Sequence, residues 1–242
     1  MHAQTNPEIG TISSSGVVEA IYDYWNYFEP IRVYADQQCV LTTQKITHVV
    51  DNILIGLNKP KTTAALKSVF GLPNVTYDDD FATVVGYGID SWQGKVWDPA
   101  ENDPTFDLFC GNITAKPALY PELNSRKGAV QKLLHEGGYG NEVSELTTPF
   151  LNWIGWLAQY AVDGCEGDQD SCFSTHNPQN YTPDDLSQTW RSWSYQVHIP
   201  LNPPFEPANK HTGLHRVGFP ANRLRHPQRP TPFDLTYQHL GI

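Results

Sequence analysis

Apolar residues recur at steps of three and four positions through most of the chain before residue 197, which is the period of amphipathic helices. Between residues 36 and 196 no segment shows the sustained two-residue alternation that is typical of a half-buried strand. The pattern therefore predicts a mainly α-helical region over 36–196, in which long connections join the helices.

Capping residues and prolines divide this region into candidate helices. Asp36 is placed to cap a helix that runs to about Leu57, and Pro60 lies just beyond its end. Thr62 or Thr63 can start the next helix.

Gly71 lies where the glycine that ends this second helix belongs. Three consecutive acids, Asp78, Asp79 and Asp80, precede the next apolar run and suit the positive end of a helix dipole. A metal site is the alternative, but consecutive side chains diverge around a helix, so the helix start is favoured. Residues 86–103 are rich in glycine and tryptophan and are predicted to be irregular.

Asp103 and Pro104 form a capping residue and first-turn proline for a short helix that Gly111 ends. Residues 115–125 are predicted to form a loop. Residues 163–182 are acidic and polar, and they are predicted to form a second long loop that holds two cysteines.

A short helix is predicted over Lys127–His135, ended by the glycine pair that follows it. The strongest apolar helix is predicted over residues 149–162. Thr147 or Thr148 is placed to cap it, with Pro149 at its first position.

The composition excludes several classes of partner. The chain has 242 residues and a net charge of −10, which disfavours nucleic acid or an anionic membrane surface. No run reaches the roughly 18 apolar residues of a membrane span. The first residues carry neither a basic region nor an apolar core, so they do not form a signal peptide.

Four cysteines allow three pairings. Cys165 and Cys172 are close enough in sequence to clip a Gly- and Asp-rich loop, and Cys39 could then join Cys110. Free, buried thiols are the alternative. A zinc site is disfavoured, because the chain has no Cys-x-x-Cys pair and no histidine near these cysteines.

Three Asn-x-Thr sequons, at Asn74, Asn112 and Asn180, are candidate glycosylation sites, although Pro183 makes the third a poor acceptor. The 7 tryptophans could form a carbohydrate-binding platform, but most fit the inner faces of helices, so core packing is favoured.

Residues 10–28 combine a short extended segment, a serine-rich turn and an aromatic helical stretch. Ser13, Ser14 and Ser15 could be proposed as nucleophiles, but a tight strand end is the favoured interpretation. The chain contains no Gly-x-Ser-x-Gly elbow of the kind that exposes the nucleophile of an α/β-hydrolase.

Several segments, taken in order, resemble the serine peptidases related to lysosomal Pro-X carboxypeptidase and dipeptidyl peptidase II. The match is a series that covers about residues 9–197 and comprises residues 14–25, Val50-Asp51-Asn52, Cys110, Asp170-Ser171-Cys172-Phe173 and Trp193-Ser194-Tyr195-Gln196.

The resemblance implies a fragment with three parts: a stub of an α/β-hydrolase domain over 1–35, a helical cap domain over 36–196, and a tail over 197–242. In that family the cap restricts which peptides enter the active site, and cleavage after proline is the usual specificity. The elbow lies before the cap and the other triad members lie after it, so no catalytic residue can be carried over to this chain.

The same resemblance identifies Ser194, Tyr195 and Gln196 as facing the substrate. Dipeptidyl-peptidase members carry an acid at the position of Ser194, where it pairs with the free amino group of the substrate. A serine there favours a carboxypeptidase-like or endo-acting relative. The family implies a peptide substrate, no cofactor, and a secreted or vacuolar/lysosomal location, whereas the oligomeric state stays open.

From Val197 onward the chain is rich in proline and histidine and loses its apolar periodicity, so we expect a disordered tail that comes from an altered reading frame or a retained intron. His211 and His215 have the spacing of a metal pair but no third ligand, so no metal is expected. The competing hypothesis for the whole chain is a non-catalytic helical module that binds a peptide or another protein.

Overall fold

A computed structural model describes residues 28–177, and these residues lie in one compact unit. They form α-helices joined by short 3-10 and π turns, and the described range contains no β-strand. The helices are α1 (Glu29–Tyr34), α2 (Gln37–Asp51), α3 (Pro60–Val69), α4 (Asp78–Asp90), α5 (Thr105–Ile113), α6 (Lys127–Glu136), α7 (Val143–Leu157) and α8 (Gln169–Phe173). The predicted mainly helical fold is confirmed for this range.

Helix α2 begins as the sequence predicts. The side chain of Asp36 accepts a hydrogen bond from the backbone N–H of Cys39 at 2.9 Å, which satisfies one of the free donors of the first turn. The helix continues as a π turn over Asn52–Gly56, so the apolar face runs unbroken from Ile46 to Ile53 in the core.

Helix α3 begins at Pro60, so the predicted start at Thr62 or Thr63 is wrong. Proline suits the first helical position, because its fixed φ angle fits a helix and the first turn has no acceptor for its missing N–H. Asn58, just before it, has a φ of +47°, which turns the chain between the two helices. Gly71 has a φ of +78° and follows the C-cap residue Phe70, which is the position predicted for it.

Helix α4 begins at Asp78, which confirms that the acidic run starts a helix. It continues through Gly86 and Gly88 to Asp90, so the prediction that irregular structure begins at residue 86 is wrong. A Cβ atom on Gly88 would lie 2.4 Å from the ring of Phe109. This glycine allows α4 and α5 to pack closely, and that tertiary contact outweighs its weak helix propensity.

Helix α5 begins one residue later than predicted and ends two residues later. The carboxylate of Asp103 accepts hydrogen bonds from both the N–H and the hydroxyl of Thr105, while Pro104 precedes the first helical residue. Gly111 does not stop the helix, because Ile113 in the following turn is fully buried in the core.

The predicted loop at 115–125 contains a 3-10 turn over Pro121–Arg126. The side chain of Asn152, which is buried within α7, supports the preceding residues. Its amide oxygen accepts from Leu119 N–H, and its amide nitrogen donates to the carbonyls of Asn112 and Pro117. This buried residue therefore satisfies backbone groups that a loop would otherwise leave unpaired.

Helix α6 ends at the predicted glycine pair, where Gly138 has a φ of +93°. Helix α7 begins at Val143, so the predicted start at Pro149 is wrong, and the proline lies inside the helix. Thr147 does not cap α7, because its hydroxyl donates to the carbonyl of Val143 at 2.5 Å. An interior proline costs one helix hydrogen bond, and the buried residues on both sides of it hold the helix together.

Helix α7 supplies the centre of the core. The ring of Phe109 meets Trp153 and Trp156 edge-to-face, with centroids 5.2 and 5.1 Å apart. Both tryptophans are fully buried, which confirms core packing for this pair, whereas Trp97 is 93% exposed.

Two disulfides brace the helices. Cys39 at the start of α2 is joined to Cys110 in α5, with a Cα–Cα distance of 5.2 Å. Cys165 is joined to Cys172 in α8, with a Cα–Cα distance of 5.9 Å. Of the three possible pairings, the structure thus has Cys165–Cys172 together with Cys39–Cys110. The described part of the predicted loop over 163–182 contains the short helix α8, so the prediction of a continuous loop is wrong there.

None of the helices among residues 28–177 is both long and apolar enough to cross a bilayer. The predictions for residues 1–27, including Ser13, Ser14 and Ser15, lie outside the described residues. So do the predictions for the cap after residue 177 and for the tail, including His211 and His215.

Candidate functional site

Several side-chain hydrogen bonds join α8 and the residues after it to the loop between α3 and α4 and to the start of α4. We call this region the polar junction and define it as residues 71–80 together with residues 169–176. Gln169 donates from its side chain to the carbonyl of Gly71 at 2.8 Å, and its side-chain oxygen accepts from Asn74 N–H at 2.9 Å. Asp170 accepts from the backbone N–H and the hydroxyl of Thr76, at 2.7 and 2.5 Å.

Asp170 anchors the short helix α8 as an ionised acid. The hydroxyl of Thr76, and then its backbone N–H, lower the pKa of this carboxyl below its ordinary value, because both donors favour the charged form. Together with the Cys165–Cys172 bond, these contacts hold a five-residue helix that would not be stable alone.

Lys67 lies beneath the loop and is only 6% exposed. Its ammonium group donates to the carbonyls of Val75 and Thr76, at 3.0 and 3.1 Å, and forms an ion pair with Asp78 at 2.6 Å. All three donors of the ammonium therefore have partners, which makes burial of this charge tolerable.

Acids in the first turn of α4 bind the two residues Thr175 and His176, which follow α8. Asp79 Oδ2 lies 2.7 Å from His176 Nε2, and the ring of Tyr77 stacks on that imidazole at a centroid distance of 3.8 Å. Asp80 Oδ1 accepts from the N–H and the hydroxyl of Thr175, at 3.0 and 2.8 Å. Adjacent acids thus bind adjacent residues of a segment that lies 95 or more positions away.

Asp79, Asp80 and His176 each offer a donor atom, and these atoms all lie within 4.8 Å of one another. Such a set has the chemistry to hold a divalent cation. The donors already bind protein groups, however, and those hydrogen bonds account for the arrangement. The sequence pattern indicated the helix start but not His176, because no local signal connects residues 97 positions apart.

Catalysis by a serine needs a hydroxyl that is hydrogen-bonded to a histidine, which an acid orients in turn. Asp79 and His176 form an acid–histidine pair, and His48 Nδ1 bonds the hydroxyl of Tyr139 at 2.9 Å. Within residues 28–177 no serine hydroxyl bonds a histidine ring, and the rings of His48 and His176 bond Tyr139 and Asp79 instead.

Two further acids are withdrawn from solvent without full pairing, Asp51 being buried and Asp90 half-buried. Burial raises the pKa of Asp51 and of Asp90 to about 7. Within the described part of the chain, Asp51 Oδ2 and Asp90 Oδ1 have no hydrogen-bond partner. A carboxyl in such a place is stabilised in its protonated form.

The residues predicted to face the substrate, Ser194, Tyr195 and Gln196, lie outside the described range, as does the sequon at Asn180. Of the other two sequons, Asn74 is exposed in the polar junction and Asn112 is partly buried in α5.

The chain is similar to a probable extracellular serine carboxypeptidase of Arthroderma benhamiae. The two are 41% identical over 190 residues, which cover 77% of this chain and 26% of that protein. It is also similar to the serine protease vicPa of Bipolaris victoriae, with 23% identity over 190 residues that cover 76% of this chain and 34% of that protein. These relatives confirm the resemblance to a family of serine peptidases.

The chain spans roughly a quarter to a third of the length of these curated relatives. No protein-family model matches it. No solved structure matches it either.

Proposed function

We propose that this chain forms the helical cap of a serine-type peptidase and that its role is to restrict the peptides that reach the active site. The similarity to an extracellular serine carboxypeptidase, at 41% identity over 190 residues, carries the proposal. The match covers only 26% of that relative, so the catalytic serine, histidine and acid are proposed to lie in the remainder of the protein.

The helical fold and its disulfides support this role. A cap has to keep its shape while peptides pass beside it, and α2, α5 and α7 share one packed core that a disulfide reinforces. Disulfides are typical of proteins that fold in an oxidising compartment, which supports an extracellular or secretory location.

The proposed substrate is a proline-containing peptide, and the proposed mode of cleavage is carboxypeptidase-like. Ser194 supports this mode, because an uncharged side chain at that position offers no partner for a free substrate amino group. The proposal for Ser194 rests on the family resemblance alone.

A chimera tests the cap role. The matching 190-residue segment of the Arthroderma benhamiae protein is replaced with that of this chain, and the number of active sites is titrated with a fluorophosphonate. Since the triad of the host protein is intact, we expect peptide hydrolysis, with a changed ratio of kcat/KM between short and long proline peptides.

The unaltered host protein serves as the control. A chimera that is secreted and fully titrated, but keeps the peptide-length preference of the host, would contradict the proposed restriction of access. The competing idea of a module that binds a peptide or another protein, without lying over the active site, predicts titratable sites and an unchanged peptide-length preference.

A further inference from the structure

Two of the Asn-x-Thr sequons fall within the described residues, and their environments differ. Asn74 lies in the exposed loop between α3 and α4. Its side-chain amide makes no hydrogen bond within the described range, since only its backbone N–H is used, by Gln169. A group attached to this amide would extend into solvent without displacing a contact.

Asn112 lies within α5, and both ends of its side-chain amide are used. Its nitrogen donates to the carbonyl of Leu108 at 3.2 Å, and its oxygen accepts from the hydroxyl of Tyr120 at 2.7 Å. The ring of Tyr120 lies so close to α7 that a Cβ atom on Gly155 would be 2.2 Å from it. A sugar on Asn112 Nδ2 would therefore have to fit beside an amide whose nitrogen bonds Leu108 and whose oxygen bonds the closely packed Tyr120.

The hydroxyl groups of the two sequons also differ in the distance to their partners along the chain. Thr114 donates to the carbonyl of Cys110, four residues before it, at 2.7 Å. Thr76 donates to Asp170, which is 94 residues later. During synthesis the hydroxyl of Thr76 is thus free for much longer, because its partner has not yet been made.

We propose that Asn74 carries an N-linked glycan and that Asn112 stays unmodified in the folded chain. The proposal rests on the proposed function only in requiring that the chain enters the secretory pathway. In the reaction, Asn74 Nδ2 forms a bond to C1 of the donor sugar, and the bond between C1 and the lipid diphosphate breaks. The amide proton leaves with the diphosphate, so atoms and charge balance.

The glycan would be added before α8 docks. The hydroxyl of Thr76 must not be bonded to Asp170 while the sequon is recognised. Asp170 can bind this hydroxyl afterwards, because the glycan is attached to Asn74 and not to Thr76. The glycosylated amide would keep the exposed position of Asn74, so the polar junction closes around an already modified loop.

The test uses the full chain, expressed behind an added secretory leader in a eukaryotic host. The purified protein is deglycosylated enzymatically in ¹⁸O-labelled water, and the peptides that contain Asn74, Asn112 and Asn180 are read by mass spectrometry. We expect labelled aspartate at position 74 and unlabelled asparagine at position 112.

Matched variants add a second readout. Asn74→Gln should lose one glycan-sized step in electrophoretic mobility, whereas Asn112→Gln should migrate as the wild type does. Cell-free translation with microsomes gives the same readout without secretion, so a variant that folds poorly is still informative.

An unmodified Asn74 in the wild-type chain, or a glycan on Asn112 in the secreted protein, would overturn the proposal. The added leader brings the chain to the glycosylation machinery whatever its natural role. A failure here therefore counts against the site and not against the proposed cap function.

Discussion

At the scale of single residues, the acids of the described range whose pKa is shifted fall into two groups with opposite effects on stability. Burial raises the pKa of Asp51 and Asp90 to about 7, whereas hydrogen bonds from Thr76 lower that of Asp170. The first group keeps protons that the unfolded chain has released, and the second group releases protons that the unfolded chain still holds.

Asp51 provides a test by pH. Between its unfolded pKa of about 4 and its folded value of about 7, the folded state binds the extra proton, so the free energy of unfolding falls as pH rises. Asp51→Asn keeps the shape of the side chain but cannot ionise. The variant should therefore lack a fall in the free energy of unfolding on the order of 2–4 kcal/mol. Urea denaturation at pH 4.5 and pH 8 measures it.

The exposed Asp163 is the matched control position, because Asp163→Asn makes the same substitution on the surface instead of in the core. Burial lowers the pKa of His48, which acts in the opposite sense near neutral pH, so the comparison of variant with wild type is the informative quantity. An Asp51→Asn variant with unchanged pH dependence would contradict the burial of this acid.

Lys67 is not part of the polar junction but holds its 71–80 loop from beneath, so it tests how that loop is supported. Lys67→Met removes two hydrogen bonds to carbonyls and the ion pair with Asp78, and we expect a loss of stability on the order of 2 kcal/mol. Lys132→Met is the control, since the pair between Lys132 and Glu136 is 3.7 Å long and the lysine is 77% exposed. Equal effects of the two substitutions in thermal unfolding would contradict the account of the junction.

At the scale of helices, two glycines distinguish the effect of tight packing from the effect of helix propensity. Gly155→Ala in α7 should destabilise the protein by about 1–3 kcal/mol, because the added Cβ collides with Tyr120. Gly111→Ala in α5 meets no atom within 4 Å and should stabilise it by about 0.5–1 kcal/mol through helix propensity. Denaturant midpoints with unchanged slopes measure both, and a neutral Gly155→Ala would refute the close approach.

The two disulfides should differ in their contribution. The bond between Cys39 and Cys110 joins residues that are 71 positions apart in the chain. The bond between Cys165 and Cys172 joins residues that are only 7 positions apart. On the chain-entropy account, replacing each pair with serines should cost roughly 4 and roughly 2 kcal/mol respectively. Chemical denaturation of the two double variants checks the order, and the reverse order would contradict the account.

Helix boundaries show which signals the sequence carries. Asp36 and Gly71 act through their own neighbours, so the sequence predicts the boundaries that they set. Gly88 suggested irregular structure because its reason to be in a helix, the ring of Phe109, lies on another helix. Pro149 suggested a helix start because the buried residues before it are held by tertiary packing.

At the scale of the whole molecule, the described range 28–177 lies in one compact helical unit, which fits the proposed role of a cap. Its helices pack around Trp153 and Trp156, and two disulfides brace it. The sequence predicts the class of this fold from apolar periodicity. It does not predict the contact of Asp79 with His176, because the partners of that contact are far apart in the chain.

The most direct test of the central claim is an activity assay on the purified chain alone. The chain is incubated with a fluorogenic proline peptide and a fluorophosphonate probe, and labelled residues are identified by mass spectrometry. Loss of one triad serine or histidine can cost on the order of a millionfold in turnover. We therefore predict a chain with helical circular dichroism that neither hydrolyses the peptide nor becomes labelled. Turnover with covalent labelling of Ser13, Ser14 or Ser15 would contradict the claim that this chain is a cap without its own catalytic centre.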